Sequence, residues 1–537
     1  ITLLLIVTMS VAMLTGCGGS DEPEDKQDAT TGTEDESSQA GDEAEVPAEL
    51  SDEIITVAVE GEPNSLVPDV AFLGNYISTI NRLVYEPLII SDYKTLELFD
   101  TGLITAWEHV DDTHIRLTLR EGVKFHNGEE FTSEDVYYQF EQGLQGAQTD
   151  HYGLFDIDEF EVEDDYNIIV GLKEPWAQAV ELMSFNTFMA LSKVELEAAG
   201  GAATTDQYLE NAGTGKYRFK EWVPGEYIEL ERNENYWDQD NLGYFAGYKF
   251  VFINDATARG MAVQSGDADL SLDIPVSNYD LYNADESVSA QILETNTVNT
   301  LFLNSGNGGP FEDARVREAV YWLINKEAIR QIGNSGFGKI TDTVISPDGP
   351  MFDGIVESEG KEVDVEKAKE LLADAGYADG LDVKLRAMRE DPVNTLIQEQ
   401  LRAGGINVSI EIAELPVHFE GLAAGDFDMY ASAQQFGYYS EPVRTTDGLK
   451  YDYSDVMGGC GYKSEELSEI AARCYATLDI DARKEAYADY QAYFRENHVS
   501  VGIYTNVGLA VSRPDLENLN LFGVGVVDLS DLYSTGK

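Results

Sequence analysis

From Gly18 to Glu49 the chain contains no aromatic residue and no leucine or isoleucine. A segment with so little apolar surface to bury cannot offset the entropy of being ordered, so no core can begin before Leu50. Charge pushes the same way. Residues 1–50 hold 12 acidic side chains and one lysine, and like charges extend a polar chain. Residues 17–50 therefore read as an acidic, disordered linker. Ahead of it, the oily run Thr2–Thr15 is too short for a membrane span, which takes roughly 20 apolar residues, and matches the apolar centre of a signal peptide. Residues 1–16 read as such a signal with a truncated charged opening.

At the seam, Leu14-Thr15-Gly16-Cys17 resembles the lipobox of bacterial lipoproteins, where cleavage precedes the cysteine and lipid is attached to its sulfur. Cys17 is then the lipid attachment point and the one contact with a membrane. A multiply acylated N-terminus holds there because each buried CH₂ contributes roughly 0.8 kcal/mol. The competing reading is an ordinary secretory signal with an accidental cysteine.

Residues 51–537 exceed what one core accommodates and predict two or three packed units. The net charge is −64, and 87 of the 99 acids but 34 of the 35 bases follow residue 50. No basic face exists to displace counterions from phosphates, which argues against nucleic acid and against docking on anionic lipid. Cys460 and Cys474 could pair in a disulfide once the chain is exported. Cys474 also shares a helical face with Leu467, Ile470 and Leu478, so a buried thiol fits equally. No histidine stands near them to complete a metal site.

Along the folded part, Ile54–Asp69 reads as a strand running into a turn that carries Asn64 and Ser65. Ile115, Leu117 and Leu119 alternate with polar residues, the period of a half-buried strand. Thr132 and Asp135 form a capping-box pattern ahead of Val136, Phe140 and Leu144. In the second half Asp364 predicts an N-cap, Leu371, Leu372 and Ala375 an inward face, and Gly376 a stop. A strand at Leu381–Leu385, a helix around Thr395–Arg402 and a strand with Ile406, Val408, Ile410 and Ile412 on one face predict a βαβ crossover. "GTGKY" at Gly213–Tyr217 lacks the earlier glycine and the following Ser/Thr of a phosphate loop, and reads as a tight turn. The six histidines are scattered, and no nucleophile elbow is present. Catalytic residues, metal ligands and cofactors: none are expected.

Five stretches in order, "LVYEPLI", "AWEHVDDTHIRLTLREGVKFHNGEEFTSEDVYYQFE", "GTGKYRFKEWVPGEYIELERNENYW", "FEDARVREAVYWLINKEAI" and "EKAKELLADAGYADG", resemble signatures of the family 5 bacterial extracellular solute-binding proteins. That resemblance implies an α/β, two-lobed periplasmic-binding-protein-like fold of type II with an extra subdomain, its discontinuous lobes joined by a hinge. Mapped here, lobe I takes residues 51–90, 213–297 and 505–537, the subdomain 91–212, and lobe II 298–504, with the hinge near "VNTLFLN" and "SVGIYTN". It further implies a non-enzymatic, monomeric receptor on the extracellular face of the cell membrane or in the periplasmic space. Such a receptor hands a short peptide to an ABC permease driven by ATPase subunits. A receptor for oligosaccharide, a sensor without transport and a surface hydrolase are the alternatives.

In peptide-binding members, a loop after an "FDM"-type strand carries a Trp and an Asp that pairs with the ligand's α-amino group. Here the loop reads "FDMYASAQQFGYYSEP", with Gln434 or Gln435 at the Trp position and Gly437 at the Asp position. Either Glu441 or Asp447 substitutes, or the ligand has no free amine. Gln434, Gln435, Phe436, Tyr438 and Tyr439 suit stacking and neutral hydrogen bonds. Asn304, Asn64 and Ser65 complete the expected ligand-binding set.

Overall fold

Ten strands make one mixed sheet. In chain order these are β1 (Ile54–Val59), β2 (Tyr217–Val223), β3 (Tyr227–Arg232), β4 (Gly247–Phe252), β5 (Leu270–Ser271), β6 (Ser289–Leu303), β7 (Leu381–Ala387), β8 (Ile406–Ile412), β9 (Met429–Gln434) and β10 (Ser500–Ser512). Their order across the sheet is β8-β7-β9-β6-β10-β5-β1-β4-β3-β2. The computed structural model describes residues 49–68, 75–92, 97–146, 152–204, 206–306, 308–434, 460–522 and 526–536. The signal, Cys17 and nearly all of the acidic linker lie outside the described residues.

The two halves of the sheet carry separate cores. Ile55, Val57, Tyr217, Leu230 and Phe250 belong to one on the β5-β1-β4-β3-β2 side. Leu301, Leu385, Leu401, Ile406 and Ile503 belong to another on the β8-β7-β9 side. A third core lies around the four-stranded sheet of Ile104–His109, His114–Leu119, Asn167–Gly171 and Glu161–Asp164. Among the described strands only β6 and β10 run through both halves of the main sheet.

Local signals read from sequence are visible in the elements. The Thr132 N–H and hydroxyl both donate to the Asp135 carboxylate, at 2.9 and 3.0 Å, and start the helix Ser133–Gly143. Asp364 accepts from the Lys367 N–H, and Gly376 takes the left-handed φ of 97° that ends the helix Val365–Asp374. β7, the helix Pro392–Ala403 and β8 form the crossover, with β7 and β8 parallel from Leu381↔Ile406 to Ala387↔Ile412. The expected inward face of β8 holds for Ile406 and Val408 but not at its end. Ile412 is 52% exposed, because β8 is the edge of the sheet and finishes beyond its cover.

Cys460 and Cys474 are both buried thiols, not a disulfide. Each packs among Leu467, Ala471, Tyr490 and Phe494 in one apolar core, and burial pushes the Cys460 thiol up to about 12. A thiol in such surroundings behaves as a small hydrophobe, so pairing is the alternative that the fold does not take.

The Gly-Thr-Gly turn is a packing device. A Cβ on Gly213 would lie 2.1 Å from the Val84 carbonyl oxygen, and one on Gly215 would lie 2.5 Å from that of Leu83. Those carbonyls end the helix Asn75–Val84, and the Gly215 N–H donates to Val84 at 2.9 Å. His126 locks the other side. Its N–H donates to the Gly213 carbonyl at 2.8 Å, and its Nε2 lies 3.1 Å from the Gly215 carbonyl. A carbonyl can only accept, so the ring proton sits on Nε2. Burial pushes the His126 imidazole down to about 4.

Gly213→Ala should therefore lower the urea midpoint by the equivalent of about 1–3 kcal/mol, the usual cost of overpacking. A midpoint equal to the parent's would contradict this close approach. The depressed His126 value predicts a pH effect of fixed sign. As pH falls from 6.5 toward 4, the unfolded chain takes up a proton that the folded chain refuses, so stability falls. In a His126→Gln variant that part of the decline between pH 6.5 and 4 should vanish, as read from unfolding midpoints across the range.

Candidate functional site

The registers place the open ends of both lobes at one point. β1 runs parallel to β5, and Ser271 of β5 pairs with Val511 of β10. Past β5, the Ile274 N–H reaches the Leu509 carbonyl, so this chain travels along β10 toward Asn506. From the other side, β9 runs antiparallel to β6 from Met429↔Leu303 to Gln434↔Val298, with β7 parallel to it. The carboxyl ends of β1 and β5, and of β7 and β9, thus converge on the middle of the β6–β10 pair. In open α/β sheets the crevice outside the carboxyl ends, where strand order reverses, is where ligands bind.

At that middle point the ladder is interrupted. Glu294 pairs with Val507 and Val298 with Thr505, leaving Thr295, Asn296 and Thr297 opposite Asn506 alone. Side chains satisfy the irregular backbone. The Thr295 hydroxyl donates to the Asn506 carbonyl at 2.8 Å and accepts from the Thr297 N–H at 3.2 Å. The Asn299 amide donates to the Asn506 side-chain oxygen. Next to them the Asn334 amide donates to the Thr505 carbonyl at 3.1 Å, and the Thr505 hydroxyl accepts from the Lys339 N–H at 2.9 Å. Bulges of this kind bend strands and terminate pairing locally.

The lobe I rim is acidic. Glu60 follows β1 and Asp273 follows β5, with Asp273 at a left-handed φ of 59°. Burial, with Glu60 adding to it, pushes the Asp273 carboxyl up to about 6 against the pull of Arg259. The same acids, after burial, raise the Tyr76 phenol. Glu62 is engaged in the fold, accepting from the Trp222 indole at 2.8 Å and the Gly225 N–H at 3.1 Å. On the lobe II side, burial and then Asp391 raise the Tyr504 phenol. Among the described residues no three His, Cys, Asp or Glu side chains are placed to hold a metal. The groups gathered at this crossing are amides, hydroxyls and carboxyls, several of them hydrogen-bonded within the fold.

The residues expected from sequence fall in different places. Asn64 is exposed in the turn after β1. Ser65 is 3% exposed, and its hydroxyl is bonded to the Gln207 and Asp206 carbonyls and the Val67 N–H. Asn304 is fully buried, its amide donating to the Phe427 and Gly425 carbonyls at 2.8 and 3.2 Å. In this position it fastens the segment ahead of β9. Gln434 ends β9 opposite Val298, at the convergence point. Gln435, Phe436, Tyr438 and Tyr439, with Gly437, Glu441 and Asp447, lie outside the described residues. Asn506 closes the stretch "SVGIYTN" expected at the hinge, whereas the bulge residues Thr295, Asn296 and Thr297 were not singled out from sequence. Their signal was the polar run "ETNTVN" inside an otherwise alternating strand.

Residues 99–453 match the model of "Bacterial extracellular solute-binding proteins, family 5 Middle". The oligopeptide-binding protein AppA of Bacillus subtilis is 23% identical over 446 residues, covering 78% of this chain and 79% of AppA. The nickel-binding periplasmic protein of Escherichia coli is 24% identical over 512 residues, covering 87% and 93%. Among solved structures, NikA from Brucella suis in complex with Fe(III)-EDTA superposes with a TM-score of 0.78 at 20% identity, over 90% of this chain and all of that one. AppA of Bacillus subtilis in complex with a nonapeptide gives 0.73 at 20% identity, over 91% and 98%.

Thr295→Val keeps the shape of the bulge but leaves the Thr297 N–H and the Asn506 carbonyl without their hydroxyl partner. It should cost about 1–3 kcal/mol of stability, measured by denaturant unfolding. A change of under a few tenths would mean that the hydroxyl is not what holds the crossing.

Proposed function

Because the chain belongs to the family 5 bacterial extracellular solute-binding proteins, we propose that it captures a short peptide between two lobes and delivers it to an ABC importer. Partner ATPase subunits supply the energy; the chain itself catalyses nothing. The observation that supports this most is the convergence of β1, β5, β7 and β9 on the crossing strands, which gives one ligand contacts to both lobes. Such a ligand favours closure by as much as it binds the closed state better than the open one. We assign lobe I to residues 51–90, 213–297 and 505–537, the extra subdomain to 91–212 and lobe II to 298–504. Lipid on Cys17 would hold the monomeric receptor at the membrane, with residues 17–50 as its tether.

The ligand class follows from relatives named as peptide binders and from a cleft of amides, hydroxyls and acids. Gly437 stands where peptide-binding members resemble one another in carrying an Asp, so an ammonium would need another carboxylate. Asp273 and Glu60, which follow β5 and β1, are candidates for that role, and from sequence alone so are Glu441 and Asp447. A second reading, an oligosaccharide receptor, draws on the "QQFGYY" sequence, whose amides and rings suit sugar hydroxyls and faces.

Native mass spectrometry of gently purified protein, with mild and then harsh activation, separates these readings. Release of masses that resolve into short peptides is the expected outcome. Sugar-like masses, or indifference to a peptide library with stabilisation by oligosaccharides, would overturn the peptide reading and leave the receptor class intact. For the anchor, Cys17→Ser should move the protein from the membrane fraction to the soluble one. Retention at the membrane would count against lipidation.

A further inference from the structure

Away from the β6–β10 pair, which joins lobe I to lobe II, the extra subdomain also meets lobe II. The Trp176 ring, part of the subdomain core, lies flat on the Tyr475 ring, with centroids 5.0 Å apart and an interplanar angle of 6°. Tyr475 is carried by the helix Glu465–Ala476 of lobe II, and it packs against the cores of both bodies. The Ala177 N–H donates to the Tyr475 carbonyl at 2.8 Å. One turn further on, Glu181 lies 3.7 Å from Arg483 of the helix Ile480–Asn497, their side chains 13% and 5% exposed. The subdomain side of this contact is tied back to lobe I. The Ser184 hydroxyl donates to the Glu181 carbonyl at 2.7 Å, and Arg82 of the helix Asn75–Val84 donates to the Ser184 carbonyl at 3.2 Å.

We propose that this contact is a clasp: closed lobes make it, opening breaks it, and its strength sets how often the lobes part. The inference rests on the two-lobed capture reading above. Three features support it. Geometry comes first, because a flat ring stack and a 2.8 Å hydrogen bond cannot survive a rotation of lobe II about the β6–β10 bulge. Next is chemistry: burial costs the Glu181 carboxylate and the Arg483 guanidinium part of their hydration. A pair that re-wets on opening recovers that hydration, so the contact is reversible where an all-apolar one would stick. The third is connectivity. Residues 176–184 couple through Ser184 and Arg82 to the helix after β1, so the clasp draws lobe II toward the lobe I rim that carries Glu60 and Asp273.

The consequence is that Trp176, Tyr475, Glu181 and Arg483 alter affinity without touching ligand. The apparent dissociation constant scales with the inverse of the closed fraction. Hydrogen exchange on the intact, ligand-free chain tests the idea, with small-angle scattering alongside, for Arg483→Gln and Tyr475→Ala. The expected result is at least tenfold faster exchange at the Ala177 amide with a larger radius of gyration. The amides of Val57 in β1 and Ile503 in β10 should keep their parent rates. Unchanged exchange at Ala177 in both variants would overturn the clasp. So would a rise shared by Val57 and Ile503, which would make the contact part of the static fold. Neither outcome depends on which ligand is found by mass spectrometry, so the clasp and the peptide reading can fail separately.

Discussion

The pairing of β6 with β10 is the constraint from which the rest of the architecture follows. The two strands are bonded from Ser289↔Ser512 to Phe302↔Ser500, with a lobe I strand added to β10 and a lobe II strand added to β6. β5 adds to β10 at Ser512 and Val511, while β9 adds to β6 from Leu303 to Val298. Both partners run their carboxyl ends inward, so the chain leaving β5 and the chain leaving β9 approach the same crossing. A uniform ladder here would hold the halves as one plate. The three-against-one bulge at Thr295–Thr297 interrupts the ladder, and the Thr295 hydroxyl takes up the Asn506 carbonyl and the Thr297 N–H there.

The charge balance has an interior counterpart. In a chain with 99 acids and 35 bases, several bases are spent inside lobe II. Lys326 pairs with Asp342 at 2.5 Å and Arg495 with Asp353 at 2.6 Å, all four side chains under 10% exposed. Arg317, 3% exposed, donates to the Phe311 and Asn497 carbonyls, and Arg386 to the His418 and Asp426 carbonyls. Each cation fixes a loop or helix end that no apolar contact could fix, because carbonyls need donors. Removing any one partner would strand a buried charge or several carbonyls. The acids are left mainly for the surface, which explains a strongly negative exterior without any need for a cationic partner.

Local pattern made much of this fold legible. Asp364, Thr132 with Asp135, and Gly376 signal helix ends because caps act over three or four residues. The β7–helix–β8 crossover follows from periodicity and length. What escaped was long-range. Ser65 and Asn304 are polar residues at turns, and from sequence alone they look available; only the fold reveals carbonyls of Gln207 and Phe427 waiting for them. Cys460 and Cys474 likewise fit two fates until their apolar neighbours are known. Trp176 and Tyr475 are separated by about three hundred residues of chain, beyond any pattern of period 2 or 3.6.

The bulge and the loops divide the labour between motion and selectivity. Bending at Thr295–Thr297 disturbs few ladder bonds, so a ligand spanning the crevice keeps most of its binding free energy as affinity. Under the proposed capture of a ligand, Glu60 and Asp273, on the loops that follow β1 and β5, are the described groups placed to tell one ligand from another. Those loops can change without touching the β6–β10 pair. A framework of that kind explains how chains about 20–24% identical, among them binders of peptides and of a chelated metal, keep one architecture. Contacts such as Trp176–Tyr475 and Glu181–Arg483 are then a third, separate lever, adjusting the balance between open and closed while leaving both the hinge and the discriminating loops alone.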